Sequence, residues 1–384
     1  MKGITTDRSK RVLIYYPWIY LRAGGERVVL ELASKSRHNI DVITHYYNPE
    51  KTFSGYKKIN ITSLSKDNKG LKRGLKFFLK YINTKLPLKG YDVLLVIGAG
   101  TTEFITFKNK SIPILYYCYT PLRIFHDLFD YFLQSKSLFK KIIFRIIRRL
   151  YLFFEKRAWK NFKAAACISQ NVKNRIINYN LYDPNRIIVI NPGLEIKNFK
   201  QKKTKKNYFL YVSRFKNYKR QDLAIRAFNN FCRHNPKTKF KLYLVGSVAD
   251  KDYLDKLKSF TRTNKNIIYV IDPSDKELTK LYSEAYAFLF LAKDEDWGIA
   301  PLEAMASATP VISVNEGGPK EQIKNYVNGL LVNADVNKIT KAMQTLVKNK
   351  KLYRKLRTNG LKTAKLYDWK IKIKQIDDFI DENC

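Results

Sequence analysis

Between Asp294 and Met305 the chain carries two glutamates, Glu295 and Glu303, on either side of a turn at Gly298 and a helix start marked by Pro301. Proline is tolerated in a first helical turn, where the amide it lacks would have had no partner. Such a start offers unpaired amides and the positive end of a dipole, which suit a phosphate. Carboxylates accept paired hydroxyls, and sugars and riboses present paired hydroxyls. Ser213 and Arg214 directly follow an apolar run, with Lys219 five residues beyond Arg214. An Arg fork and a Lys point charge beside each other suit a diphosphate and would stabilise it as a leaving group. Taken together, these residues describe a nucleotide-sugar site. The plain alternative is an acid at a helix start, an unrelated loop acid and a chance Arg–Lys pair in a basic chain.

These residues need a scaffold that brings loops together, and the apolar periodicity supplies one. Residues 11–17 read as a buried strand, followed by a loop with Gly24 and Gly25 and a helix from Glu26, the opening of a Rossmann-like unit. Further strands are predicted at 41–44, 92–97 and 112–118, with helical periodicity from about Phe125 to Asn161. The Gly98-Ala99-Gly100 turn lacks the third glycine of a dinucleotide fingerprint, since Glu103 stands there. A charged stretch, Lys200 to Lys206, reads as a linker. A second alternation follows, with strands at 208–212, 239–245, 267–270, 287–291 and 310–314. Gly246 closes one of these strands. We expect an α/β protein of two Rossmann-like parallel-sheet domains facing a cleft, over residues 1–197 and 198–366. A terminal helix over 367–384 is expected to return to the first domain.

The chain has 384 residues, 45% of them hydrophobic, enough for two cores. With 73 basic against 33 acidic residues its net charge of +40 calls for an anionic partner. The cysteines (118, 167, 232, 384) and histidines (38, 45, 126, 234) form no ligand-spaced cluster, so neither a bound metal nor a disulfide framework is expected. No apolar run reaches the ~20 residues of a spanning helix, and the first residues do not read as a signal peptide. A cytoplasmic protein, peripheral at the inner face of the membrane, is expected. Nucleic-acid binding would need a basic sheet face set with aromatics, and it leaves Glu295 and Glu303 unexplained, so no nucleic-acid partner is expected.

The motifs together resemble the family-4 retaining glycosyltransferases of GT-B fold, in the mannosyltransferase-like group. The segment from Ser213 to Ile225 is similar to the start of that family's donor domain. Glu295 to Glu303 matches its E-x7-E element, and Gly317-Gly318-Pro319 with Glu321 its following loop. Ala23 to Glu26 resembles its first glycine loop, and Cys118 to Arg123 its C-H-T-P-x-R element, with Tyr119 in place of the histidine. The resemblance covers most of the chain in the right order.

It implies transfer of a hexose from a nucleotide-diphosphate sugar to a glycan or polyprenyl-linked acceptor, with retention of configuration and no cofactor. It implies Glu295 on the donor hexose hydroxyls, Glu303 on the ribose, and Arg214 and Lys219 on the diphosphate. Ser213, Gly246, Trp297, Gly298 and Ile299 would line the donor, Gly246 against the nucleotide, with Gly24 and Gly25 allowing close approach. A phenol at Tyr119 can donate a hydrogen bond but makes a poor base near neutrality. A soluble GT-B enzyme with a small sugar acceptor stays open beside this reading. Two segments, Lys140 to Phe154 and Leu71 to Tyr81, are both basic and apolar. Each is either an interfacial helix at an anionic membrane or a core helix with a solvated basic back.

Overall fold

The computed structural model describes residues 9–65, 80–134, 136–262 and 264–384. Most of the basic segment at 71–81 therefore lies outside the described residues. The chain divides into two compact units, residues 1–192 with 370–384, and residues 193–369. The divide falls at Pro192–Gly193, a few residues before the boundary expected at 197/198.

The first unit is built on strands β1 (Arg11–Tyr15), β3 (Asn39–Thr44), β5 (Ile61–Ser63), β6 (Val93–Ala99), β7 (Ile114–Thr120), β8 (Ala164–Cys167) and β9 (Ile187–Val189). They form one sheet in the order β5-β3-β1-β6-β7-β8-β9, each neighbouring pair parallel. β2 (Trp18–Ile19) and β4 (Tyr46–Tyr47) pair separately. Val12 to Tyr15 and Val93 to Ile97 are almost wholly buried, the continuous apolar run that a sheet covered on both faces requires. Helices α1 (Gly24–Lys35), α2 (Phe129–Leu133), α3 (Leu138–Trp159) and α4 (Gln170–Asn178) belong to this unit. The helical span expected over 125–161 is therefore interrupted, with α2 ending before α3 begins.

The second unit orders its parallel strands β12-β11-β10-β13-β14-β15, over Lys206–Val212 (β10), Lys241–Gly246 (β11), Ile267–Ile271 (β12), Ala285–Phe290 (β13), Val311–Val314 (β14) and Leu330–Val332 (β15). In chain order this is 3-2-1-4-5-6, the order of a nucleotide-binding sheet, and its direction reverses between β10 and β13. Its helices are α5 (Gln221–Arg233), α6 (Lys251–Thr261), α7 (Asp275–Glu284), α8 (Ala300–Ala306), α9 (Pro319–Gln322), α10 (Val336–Lys348) and α11 (Lys350–Lys365). Phe209, Phe228, Phe231, Leu242, Leu289, Ile312 and Met343 form its core.

The stretch expected to be a linker is docked instead. Lys205 Nζ donates to Ser283 O at 2.7 Å, Ser307 O at 2.9 Å and Thr309 Oγ1 at 2.8 Å, and Lys202 and Lys206 both pair with Glu284. A run of lysines reads as solvated until carbonyls are brought to it by the fold.

The last helix, α12 (Trp369–Glu382), joins the first unit from Lys370 onward. Ser36 donates to Asp377 at 2.5 Å, the Arg37 amide donates to the same carboxylate at 3.1 Å, and Arg37 Nε reaches Asp381 at 3.1 Å. Ile373, Ile376, Phe379 and Ile380 are buried.

Helix α3 is rooted by an uncharged polar cluster. Glu103 and Glu155 are buried, and burial pushes Glu155 up to about 8 and Glu103 well above the carboxylate range. Tyr151 Oη lies 3.2 Å from a carboxyl oxygen of each. One hydroxyl has one hydrogen to give, so at least one of these acids must donate back. His126 Nε2 lies 2.8 Å from Glu155, and burial drives the imidazole down to about 4. The two shifts agree on a neutral acid donating to a neutral imidazole rather than an ion pair. Among the described residues no helix is long and apolar enough to cross a membrane.

Candidate active site

Four strand ends of the second unit converge on the predicted residues. After β10, Ser213 N donates to Val245 O at 2.9 Å, and Phe215 N to Ser247 O at 2.9 Å, so the loops after β10 and β11 run side by side. Gly246 makes this approach possible: a Cβ there would lie 2.0 Å from Ser213 O. Gln221, at the start of α5, holds the loop from below, donating to Ser213 Oγ at 2.8 Å and Arg214 O at 3.0 Å. Arg214 is exposed at the loop's edge. Lys219 is buried, and its carbonyl accepts from Tyr211.

Across the point where strand order reverses, the loop after β13 brings Glu295. Lys219 Nζ pairs with the Glu295 carboxylate. Lys293 N donates to Tyr218 O at 2.9 Å, which holds the two loops together. A buried ammonium needs a counter-charge, and Glu295 supplies it. The residues expected to grip diphosphate and sugar thus neutralise each other. Arg220 holds a left-handed backbone, φ 54°, and its Nη1 donates to both Glu316 oxygens at 3.0 Å.

Gly317 and Gly318 clamp the Glu295 loop from the β14 side. A Cβ on Gly317 would lie 2.4 Å from Glu295 O, and one on Gly318 2.6 Å from Asp296 O. Gly318 N donates to Glu295 O at 2.7 Å, and Gln322 Nε2 reaches Trp297 O and Gly298 O, each at 2.8 Å. Trp297 is buried against Tyr367, so its ring is a support and only its backbone remains for a ligand. Gly298 takes φ 74°. Ile299 caps α8, its carbonyl accepting from Leu302 N and Glu303 N. Helix α8 spans seven residues, and so short a helix has only a small dipole. Glu303 accepts from buried Tyr282 at 2.8 Å, which fixes its carboxylate in one orientation.

In the first unit, α1 starts at Gly24. A Cβ on Gly25 would meet Tyr16 Oη at 2.5 Å and Tyr119 Cε2 at 2.9 Å, while one on Gly24 would meet nothing within 4 Å. Tyr119 Oη donates to Gly25 O at 2.9 Å, and burial keeps this phenol well above its ordinary range. Here Tyr119 ties down the glycine loop. Among the described residues no group of three or more His, Cys, Asp or Glu could hold a metal ion.

Residues 194–363 match the family described as glycosyl transferases group 1, and residues 22–198 match glycosyltransferase family 4. The two matches together run from residue 22 to residue 363. The chain is a group 1, family 4 glycosyltransferase. It is 24% identical over 411 residues to the alpha-1,3/1,6-mannosyltransferase ALG2 of Dictyostelium discoideum, covering 93% of this chain and 94% of that one. It is 28% identical over 257 residues to the O-antigen chain mannosyltransferase RfbU of Salmonella typhimurium, covering 66% of each. Anabaena HepE, solved in complex with UDP-glucose, superposes with a TM-score of 0.73 at 15% identity, over 97% of this chain and all of that one. The fold is GT-B.

The glycosyltransferase carries buried groups at these loops that sequence reading passed over. Glu26 follows the glycine pair, is buried, and is pushed up to about 7 by burial, with its Oε1 unpartnered. Its position in a first helical turn reads as an ordinary dipole partner, and only burial distinguishes it. Its folded-state pKa lies above the ordinary 4.5. The fold therefore holds its proton more tightly, and that stability is full below pH 4.5 and lost as pH climbs through about 7. Glu26→Gln should flatten this fall, on the order of 3 kcal/mol at most. Urea midpoints of both proteins from acid to neutral pH read the difference, and parallel curves would refute it.

Tyr119→Phe removes one hydrogen bond to a carbonyl. A stability loss of about 1 kcal/mol with turnover held within a few-fold is the expected outcome. A fall of about 100-fold with unchanged melting would instead put the phenol on substrate.

Proposed function

We propose that this glycosyltransferase moves a hexose, mannose or glucose, from a nucleotide-diphosphate sugar to a glycan or polyprenyl-linked acceptor. Configuration at the anomeric carbon is retained, and no metal or other cofactor takes part. The acceptor is met at the cytoplasmic face of a membrane, and no nucleic acid is a partner. The observation that carries this reading is the Lys219–Glu295 pair, set where the sheet of the second unit reverses its order.

An arriving diphosphate offers Lys219 a stronger counter-charge than one carboxylate, so the ammonium turns to the phosphate. Glu295 is thereby released to accept from donor hydroxyls. Binding and site assembly become one event. Arg214 adds its fork from the loop edge, and Glu303, held by Tyr282, accepts from the ribose. Ser213 and the backbone at Gly246, Trp297, Gly298 and Ile299 line the donor. As the bond from the anomeric carbon to the phosphate oxygen breaks, Lys219 and Arg214 stabilise the charge gathering on the diphosphate. The acceptor oxygen bonds to the same face of that carbon and passes its proton to the departing phosphate. No protein nucleophile is needed.

The support is threefold. Two fixed cations sit on loops at the strand ends, two of the similar proteins are named mannosyltransferases, and a structural neighbour holds UDP-glucose. Melting curves with a panel of guanosine and uridine diphosphate sugars test it, because a ligand that binds only the folded state raises its melting temperature. NMR of the product anomer tests retention. Failure of every nucleotide sugar to shift the melt would end the proposal.

A further inference from the structure

Helix α3 presents a long apolar face to solvent. Leu138 is 74% exposed, Phe139 73%, Leu150 57%, Ile146 56%, and Ile142 and Phe153 50% each, with Ile143 and Ile147 partly exposed beside them. At ~100° per residue these side chains share one arc, opposite the face that carries Tyr151 and Glu155. That opposite face is the packed one: Tyr151, Glu155, Ala158 and Trp159 are buried in the first unit. The hydrophobic stripe of this helix therefore points away from its own core. A solvated back should be polar, so the sequence alternative of a core-facing helix with a basic outer side does not describe this one.

Charge says what covers the arc. Lys140, Arg145, Arg149, Lys156 and Arg157 are exposed along the same helix, and its one acid, Glu155, is buried. A second copy laid against this face would bring like charges together, which is unfavourable. An anionic lipid surface attracts all of them while its acyl boundary accepts the isoleucines and phenylalanines. Next to Phe153 lies an open hollow of about 440 Å³ whose wall includes Arg148, Lys156 and Tyr179, room for a phosphate headgroup at the edge of the arc.

We propose that α3 is an interfacial docking helix, lying in the headgroup region of an anionic bilayer and holding the enzyme there by its apolar face and basic flanks. This names the surface behind the membrane-borne acceptor proposed above and rests on that reading only for its purpose.

Flotation of the full chain with vesicles of phosphatidylcholine alone, or mixed with phosphatidylglycerol, tests it. The protein should rise with the anionic vesicles at low salt and stay behind with the neutral ones. The Ile142→Glu, Ile146→Glu double variant changes exposed positions, so its melting should match wild type while its bound fraction falls at least about tenfold. Reversing Lys140, Arg145 and Arg149 to Glu should lower partition onto anionic vesicles by roughly 100-fold or more. Undiminished binding by either variant would overturn the proposal. So would a wild-type protein that never floats but forms a dimer on sedimentation that the double variant loses, which would assign the face to a second copy. Donor-induced melting shifts are read on the same proteins. Shifts without flotation would sink the docking helix alone, and flotation without shifts the donor reading alone.

Discussion

Lys219→Ala should lower turnover by about 100-fold or more, and Glu295→Ala by a similar factor. The two side chains form one unit, since the buried ammonium of Lys219 is neutralised by the Glu295 carboxylate. On the proposed reading, removing Lys219 takes away the charge that meets the diphosphate and breaks the ion pair with Glu295. Removing Glu295 strands a buried cation, which on the same reading favours the anion but gives up the group proposed to orient the sugar. The signatures should therefore differ. Lys219→Ala should weaken binding of the free nucleoside diphosphate, whereas Glu295→Ala should leave that binding intact or tighter and fall mainly in turnover. Groups acting as a unit are not additive, so the double variant should be little worse than Lys219→Ala. Steady-state rates and nucleotide titrations on the three proteins check this, and wild-type rates in both single variants would remove the pair from the chemistry.

The second large effect is structural. Gly246→Ala puts a methyl 2.0 Å from Ser213 O and 2.7 Å from that carbonyl carbon, and both are backbone. No rotamer change can relieve that contact, so the loop after β10 must move, and with it the amide that donates to Val245 O at 2.9 Å. A loss of about 3 kcal/mol or more is expected, with donor affinity falling as Ser213 and Arg214 shift. Gly24→Ala is the control, because nothing lies within 4 Å of its added methyl. Denaturant midpoints decide, and equal stability of both variants would refute the account of Gly246.

Much of the scaffold was legible because buried parallel strands announce themselves as unbroken apolar runs, as at Val93 to Ile97 and Phe209 to Val212. The glycines at 246, 298 and 317 were legible because backbone there approaches backbone or takes a positive φ. What stayed hidden were partnerships across distant segments. Nothing in the local spacing says that Lys219 meets Glu295, that Tyr282 orients Glu303, or that Arg220 reaches Glu316. Lysines at 202, 205 and 206 read as linker because their carbonyl and carboxylate partners come from elsewhere in the chain. Tyr119 stands at a position where the resemblance puts chemistry, while its hydroxyl is engaged by a loop carbonyl that spacing does not reveal. Glu26 escaped because burial, not residue type, makes it unusual.

The root of α3 has a consequence for how the enzyme would leave the anionic bilayer proposed for it. Tyr151, Glu103, Glu155 and His126 hold one another without net charge, so dissolved electrolyte has nothing there to screen. The cations along the outer face are fully open to it. Raising ionic strength should peel the protein off while the helix keeps its seat, making detachment reversible. Alkali works from the other end: as pH climbs past about 8, where Glu155 gives up its proton, the seat itself acquires buried charge and weakens.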